Sequence, residues 1–164
     1  MPRTKLSYAA VDGPDQVDPE VRYRAYASTE LLLDLLYSVR SVFQIDLESL
    51  LIYLCVSEAS MRPLVLDQNV PHDVMSMAAP PEEYRGVISR LLVADRTGLP
   101  RETVRRKVKV LLEMGLLTED AQKRVRSSRN LASPGAQKAA NEAHAAIQRY
   151  QARLTQLRGG ASGT

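Results

Sequence analysis

The stretch 96–117, RTGLPRETVRRKVKVLLEMGLL, sets six positive charges, two glycines and a regular apolar stripe within 22 residues. Two helices joined by a short turn containing Gly form a helix-turn-helix. Gly98 suits the left-handed backbone of a sharp helix end, and Pro100 presets φ at the start of the following helix. That helix runs to Met114, where Gly115 stops it in the same way. Stepping ~100° per residue, Val104, Val108 and Leu111 fall on one inward side together with Leu99. Glu102, Arg106 and Lys109 fall opposite, Arg101 and Arg105 flank one edge, and Thr103 flanks the other. Lys107 lies at the border of the stripe, where a long stem can cover apolar surface while its amine stays in water.

The helix before the turn is RLLVADRT, with Ser89 as its N-cap and a further candidate for DNA contact, and Ala94 as the small residue where the two helices approach. A face of guanidiniums, an ammonium, a hydroxyl and a carboxylate has the chemistry to meet guanine edges, phosphates, the thymine methyl and cytosine. Glu102 either joins that face as an acceptor or holds a neighbouring arginine in position.

The charge distribution points the same way. The net charge of the 164 residues is only +3, but residues 84–131 hold twelve Lys/Arg against five Asp/Glu, a local charge of +7. The rest of the chain is therefore at −4, so an anionic partner is expected for this segment alone. Downstream, LLTED and KRVRSSRNLA read as two short strands joined by a turn near Ala121, placing Lys123, Arg124, Arg126 and Arg129 on a basic hairpin.

Around this unit the chain reads as mainly α. Seven Tyr, one Phe and no Trp leave a core of Leu, Val, Ile and Ala, which favours helix packing. Residues 1–17 are polar and read as a disordered arm. Asp18 and Pro19 then start a helix that runs to about Val42, and its half LLLDLLYSVRSVF is too apolar to stand bare. Asp46 caps a second helix through residue 60, expected to line one side with Leu47, Leu50, Leu51, Leu54 and Ser57 or Ala59. Residues 61–82 carry four prolines and read as a long connection, in which VMSMAA either forms a short helix or covers apolar surface.

After Ser133-Pro134 the chain is helical to Leu157, with residues 159–164 as a flexible tail. In this last helix Ala136, Ala140, Ala143, Ile147, Tyr150, Leu154 and Leu157 step by fours and threes, a heptad seam of about three repeats. That seam and the apolar first helix predict a homodimer held by Leu32, Leu35, Leu36, Ile147, Tyr150, Leu154 and Leu157.

Other chemistries have little to work with. Cys55 is the one cysteine and sits in an apolar run, which predicts a buried, inert thiol. His72 and His144 fall in no metal or nucleophile spacing, so neither an enzyme nor a metal or other cofactor is expected. The N-terminus lacks the apolar core of a signal peptide, and no apolar stretch approaches the ~20 residues of a membrane span, which predicts a cytoplasmic protein without membrane contact. Tyr84 is the only aromatic between residues 84 and 149, leaving few stacking platforms for single-stranded RNA. The stronger alternative is a protein-protein interaction module, which would need no arginine on both helix and hairpin.

The segment ISRLLVADRTGLPRETVRRKVKVLLEMGLL resembles the winged helix-turn-helix of bacterial transcriptional regulators. The matching positions are Ser89, Val93 where Leu is usual, Ala94, Thr97-Gly98-Leu99, Thr103-Val104-Arg105-Arg106, Leu111 or Leu112, and Gly115-Leu116. RNLASPGAQKAA is loosely similar to the passage from wing to C-terminal helix in multiple-antibiotic-resistance-type (MarR-like) repressors. The resemblance implies a winged helix-turn-helix core flanked by dimerisation helices. It also implies a recognition helix in the major groove of double-stranded DNA, and a wing bearing Lys123, Arg124, Arg126 and Arg129 on the backbone. Two half-sites of a pseudo-palindrome roughly one turn (~34 Å) apart would follow. A small-molecule effector bound between dimer helices and DNA-binding region is a further implication.

Overall fold

The computed structural model describes residues 17–78, 80–128 and 133–161, with the backbone alone at residues 41 and 157–161. Residues 1–16, Arg129, residues 162–164 and the side chain of Leu157 lie outside the described residues, and with them the expected arm, part of the tail, one hairpin cation and one seam position. The chain is mainly helical with one small antiparallel sheet: α1 (Pro19–Phe43), α2 (Leu47–Leu66), α3 (His72–Ser76), α4 (Arg90–Thr97), α5 (Arg101–Glu113), β1 (Leu117–Glu119), β2 (Val125–Ser127) and α6 (Pro134–Ala161).

The helix ends follow local chemistry. Asp18 and Asp46 accept hydrogen bonds from Glu20 N and Ser49 N, capping α1 and α2. Ser89 Oγ accepts from Leu92 N at the start of α4, and Gly98, at φ +69°, closes it with its N–H on the Ala94 carbonyl. Gly115 repeats that left-handed backbone after α5, at φ +70°. In both cases a Cβ would meet no neighbouring atom, so the requirement for Gly is conformational.

The core gathers on α5. Val104, Val108 and Leu111 are fully buried and join Leu50, Ile52, Tyr53 and Val56 of α2, Val93 and Ala94 of α4, and Leu117 and Val125 of the sheet. Leu99 packs against this cluster from the turn. β1 and β2 pair Leu117 with Ser127 and Glu119 with Val125. Ile88, just before α4, exchanges both backbone hydrogen bonds with Val125, which fastens the hairpin to the start of α4.

Three expectations are corrected here. α2 buries Ser49, Leu50, Ile52, Tyr53, Val56 and Ser60, while Leu47, Leu51 and Leu54 stay exposed. Its inner face is thus turned about one residue from the expected side, because Ser60 is small enough to meet the backbone of β2. Ser60 Oγ accepts from Ser127 N, a hydrogen bond only a small side chain can place there. α2 also runs through Pro63 to Leu66, shortening the 61–82 connection, within which residues 72–76 form α3. At 20 residues α2 is, moreover, long and apolar enough by composition to cross a membrane, although its inner face forms the centre of the core.

Helix α6 packs within the chain. It lies antiparallel on α1 of the same chain, with Arg153 on Glu30 and Arg149 on Asp34. Among its described residues Ala136, Ala139 and Ala146 are buried, the first of them a position of the expected seam, while Ile147 is exposed and Ala140 borders an open cavity. Small residues win the inner stripe because Ala27 and Ser38 of α1 bring the two helices close together. Tyr150, Leu154 and Leu35 are half-buried, and Leu32, Leu33, Leu36 and Tyr37 are exposed on α1.

Gly86 differs from the helix-ending glycines. A Cβ there would stand 2.2 Å from the Ala59 carbonyl oxygen, and its N–H bonds to the Ser60 carbonyl at 3.0 Å. Gly86→Ala should therefore cost about 3 kcal/mol or more through backbone displacement. Gly98→Ala should cost only about 1–2 kcal/mol of left-handed strain. Urea midpoints of the two variants in the reverse order would contradict this close packing.

Candidate nucleic-acid interface

The outer face of α5 is organised by the burial of its inner face. With Val104, Val108 and Leu111 locked inward, Arg101, Glu102, Arg105, Arg106 and Lys109 are exposed and Thr103 is half-buried. Pro100 provides no side-chain cap, so the first N–H groups of α5 are left to solvent or a ligand beside Arg101. Ser89 is exposed, but its oxygen is occupied in capping α4.

Ion pairing sorts the cations of this segment into two sets. Lys107 is only 18% exposed and bonds to Asp46 Oδ2 at 2.8 Å, with Glu48 at 3.7 Å. The expected surface lysine is instead a tie between α5 and the first turn of α2. Arg96 bonds to Glu58 of α2 at 2.8 Å. Arg90 pairs with Glu119 of β1, and Arg85 donates to the Ser127 carbonyl. Arg126, expected on the outer hairpin, has a side chain only 12% exposed that faces Glu82 at 3.2 Å. None of these long-range partners has a local sequence signal, since each pair joins elements tens of residues apart.

The outward set is Arg101, Arg105, Arg106 and Lys109 on α5 with Lys123 and Arg124 on the hairpin. Arg105 is held by Glu102 through two bonds, Nε to Oε2 at 2.9 Å and Nη2 to Oε1 at 2.6 Å. Its guanidinium is the main reason the Glu102 carboxyl lies below its ordinary pKa. Lys109 stands 3.8 Å from Glu113.

At the hairpin tip Asp120 accepts from Gln122 N and Arg124 N and pairs with Arg124 Nε at 2.8 Å. Lys123 takes a left-handed backbone, φ +63°, and reaches Glu119 at 2.9 Å. The turn thus lies where the sequence places it, built around a single aspartate.

A second feature lies where α1 and α6 meet α2. A cavity of about 210 Å³ is bounded by Phe43, Tyr53, Leu54, Met61, Ala139 and Ala143, among others. Phe43 and Tyr53 meet on one wall with ring centroids 4.7 Å apart and planes tilted by 50°, and Ser57 Oγ is buried without a hydrogen-bond partner. Cys55, expected buried, is half-buried against the core, and burial raises its thiol pKa.

No protein family, curated protein or solved structure matches this chain.

The tie between α5 and α2 has a pH signature. Lys107 holds the Asp46 carboxyl down to about 2, against the ordinary value near 3.8. A folded-state pKa below the unfolded one stabilises above the unfolded pKa, and the gain is lost as pH falls through the folded one. Asp46 is 55% exposed, so solvent screening reduces the contribution to about 1 kcal/mol or less. Asp46→Asn keeps a capping side chain and should lower stability by that amount from pH 5 to 7. The deficit should shrink below pH 4 and vanish near pH 2. A deficit independent of pH in urea titrations would assign it to capping instead.

Proposed function

We propose that the protein is a DNA-binding transcriptional regulator of winged-helix type, acting in the cytoplasm as a homodimer. Helix α5 enters the major groove, and the β1–β2 hairpin is the wing on the phosphate backbone. The observation that carries this is the outward face of α5. Arg101, Arg105, Arg106 and Lys109 project opposite a fully buried stripe, and the hairpin that follows α5 has an exposed tip bearing Lys123 and Arg124. Six cations on one helix face and the turn of the following hairpin suit a polyanion with a groove. A protein-protein interaction module is the alternative, and it has no use for exposed cations on both elements.

Arg126 is left out of the contact set because it faces Glu82. For the dimer, the support is the outer side of α1, where Leu32, Leu33, Leu36 and Tyr37 lie exposed while α6 covers the opposite side. Ile147 of α6 adds to the exposed apolar surface. Regulation by a mostly apolar small molecule fits the cavity between α1, α2 and α6, whose polar anchor would be Ser57 Oγ.

Selection of duplexes from a random pool at two salt concentrations tests the function, and a defined palindrome is expected. Arg101→Ala and Arg106→Ala should each weaken binding to it by about 1–3 kcal/mol. Lys123→Ala and Arg124→Ala should weaken all sequences alike and flatten the salt dependence by about one unit of slope each. Failure to enrich any sequence would favour the protein-binding alternative.

Sedimentation should show a dimer at micromolar concentration, and the double substitution of Leu33 and Leu36 by Glu should give a folded monomer. A monomeric wild-type chain would rule out the two-fold arrangement.

A further inference from the structure

Glu102 is out of place on a face meant for a polyanion. It stands at the middle of the outward side of α5, its side chain 74% exposed, and a carboxylate there repels phosphate. Its two oxygens are both taken by Arg105, through Nε and Nη2. No ion pair engages Arg101 or Arg106 among the described residues, so Arg105 is the one arginine of this helix face whose guanidinium is held by a carboxylate.

A guanidinium has five N–H donors in a planar fork. Binding a carboxylate along the Nε–Nη2 edge uses two of them. The adjacent Nη1–Nη2 edge keeps a parallel pair of donors, which matches the O6 and N7 acceptors that guanine presents in the major groove. The carboxylate also cancels the charge of Arg105, so this arginine has little to gain from a phosphate and most to gain from a directional contact. Holding the fork in advance removes part of the side-chain ordering cost of that contact.

We propose that Glu102 and Arg105 form a single base-reading unit, in which Glu102 orients the Arg105 guanidinium to recognise guanine at one position of each half-site. The proposal rests on the DNA-binding function above. It assigns Glu102 a positioning role and sets Arg105 apart from Arg101 and Arg106, whose unpaired guanidiniums can meet either a base or a phosphate.

The two roles of Glu102 have opposite signs, which makes the unit testable. Duplex selection is run on the full-length wild type, Glu102→Gln and Arg105→Lys, with affinities for the selected duplex and for a random-sequence duplex. Both residues are exposed, and a thermal melt checks that the variants stay folded. Glu102→Gln should bind random duplex several-fold more tightly, because an anion facing the phosphates is gone. It should also lose about 5- to 100-fold of the preference for guanine at one position. Arg105→Lys should lose the same preference while its affinity for random duplex stays within about twofold, since the charge is kept. If the wild type selects a motif and both variants retain it unchanged at every position, the base-reading unit is overturned and the DNA-binding function stands. If the wild type enriches no sequence, both are overturned.

Discussion

The burial of Val104, Val108 and Leu111 against α2 is the constraint on which the rest of the molecule depends. These three side chains are fully excluded from water and meet Leu50, Ile52, Tyr53 and Val56, so α5 cannot rotate about its axis without exposing them. Burying a side chain of this size is worth about 1.5–3 kcal/mol. Rotation would forfeit several such contributions together. The outward placement of Arg101, Arg105, Arg106 and Lys109 follows from that lock and from the helical period alone.

Electrostatics refines the placement in a way net charge does not reveal. Arg85, Arg90, Arg96, Lys107 and Arg126 each face a carboxylate or a backbone carbonyl within the fold. Their charges hold the hairpin, α2 and α5 together. The cations that remain outward are therefore set on a frame braced by others of the same segment. A local excess of +7 is a mixture of structural ties and an exposed face, and only spatial neighbours distinguish the two.

The α1–α6 pair obeys a different logic. Its contact is made by small residues, Ala27 and Ser38 against Ala136, Ala139 and Ala146, and fastened by two acid-arginine pairs. Large apolar side chains are consequently turned outward, which is why α1 has Leu32, Leu33, Leu36 and Tyr37 on its free side. The cavity beside Phe43 and Tyr53 lies where this helical pair meets the body of the chain.

Local chemistry written along the chain settled the helix starts at Asp18, Asp46 and Ser89, the stops at Gly98 and Gly115, the hairpin turn near Ala121, and the inner stripe of α5. Each depends on residues within a few positions of one another, through capping, left-handed backbone or the 3.6-residue period. The inner face of α2, the seam of α6, and the fates of Lys107 and Arg126 depended on what stands opposite them. Apolar residues exceed the inner positions on α1, α2 and α6, so periodicity offers more than one face. Close approach of Ser60 to the Ser127 backbone, and of Ala27 and Ser38 to the alanines of α6, selects among them. A cation's role is likewise decided by carboxylates distant in sequence, as Asp46 is from Lys107, and that proximity exists only once the helices have packed.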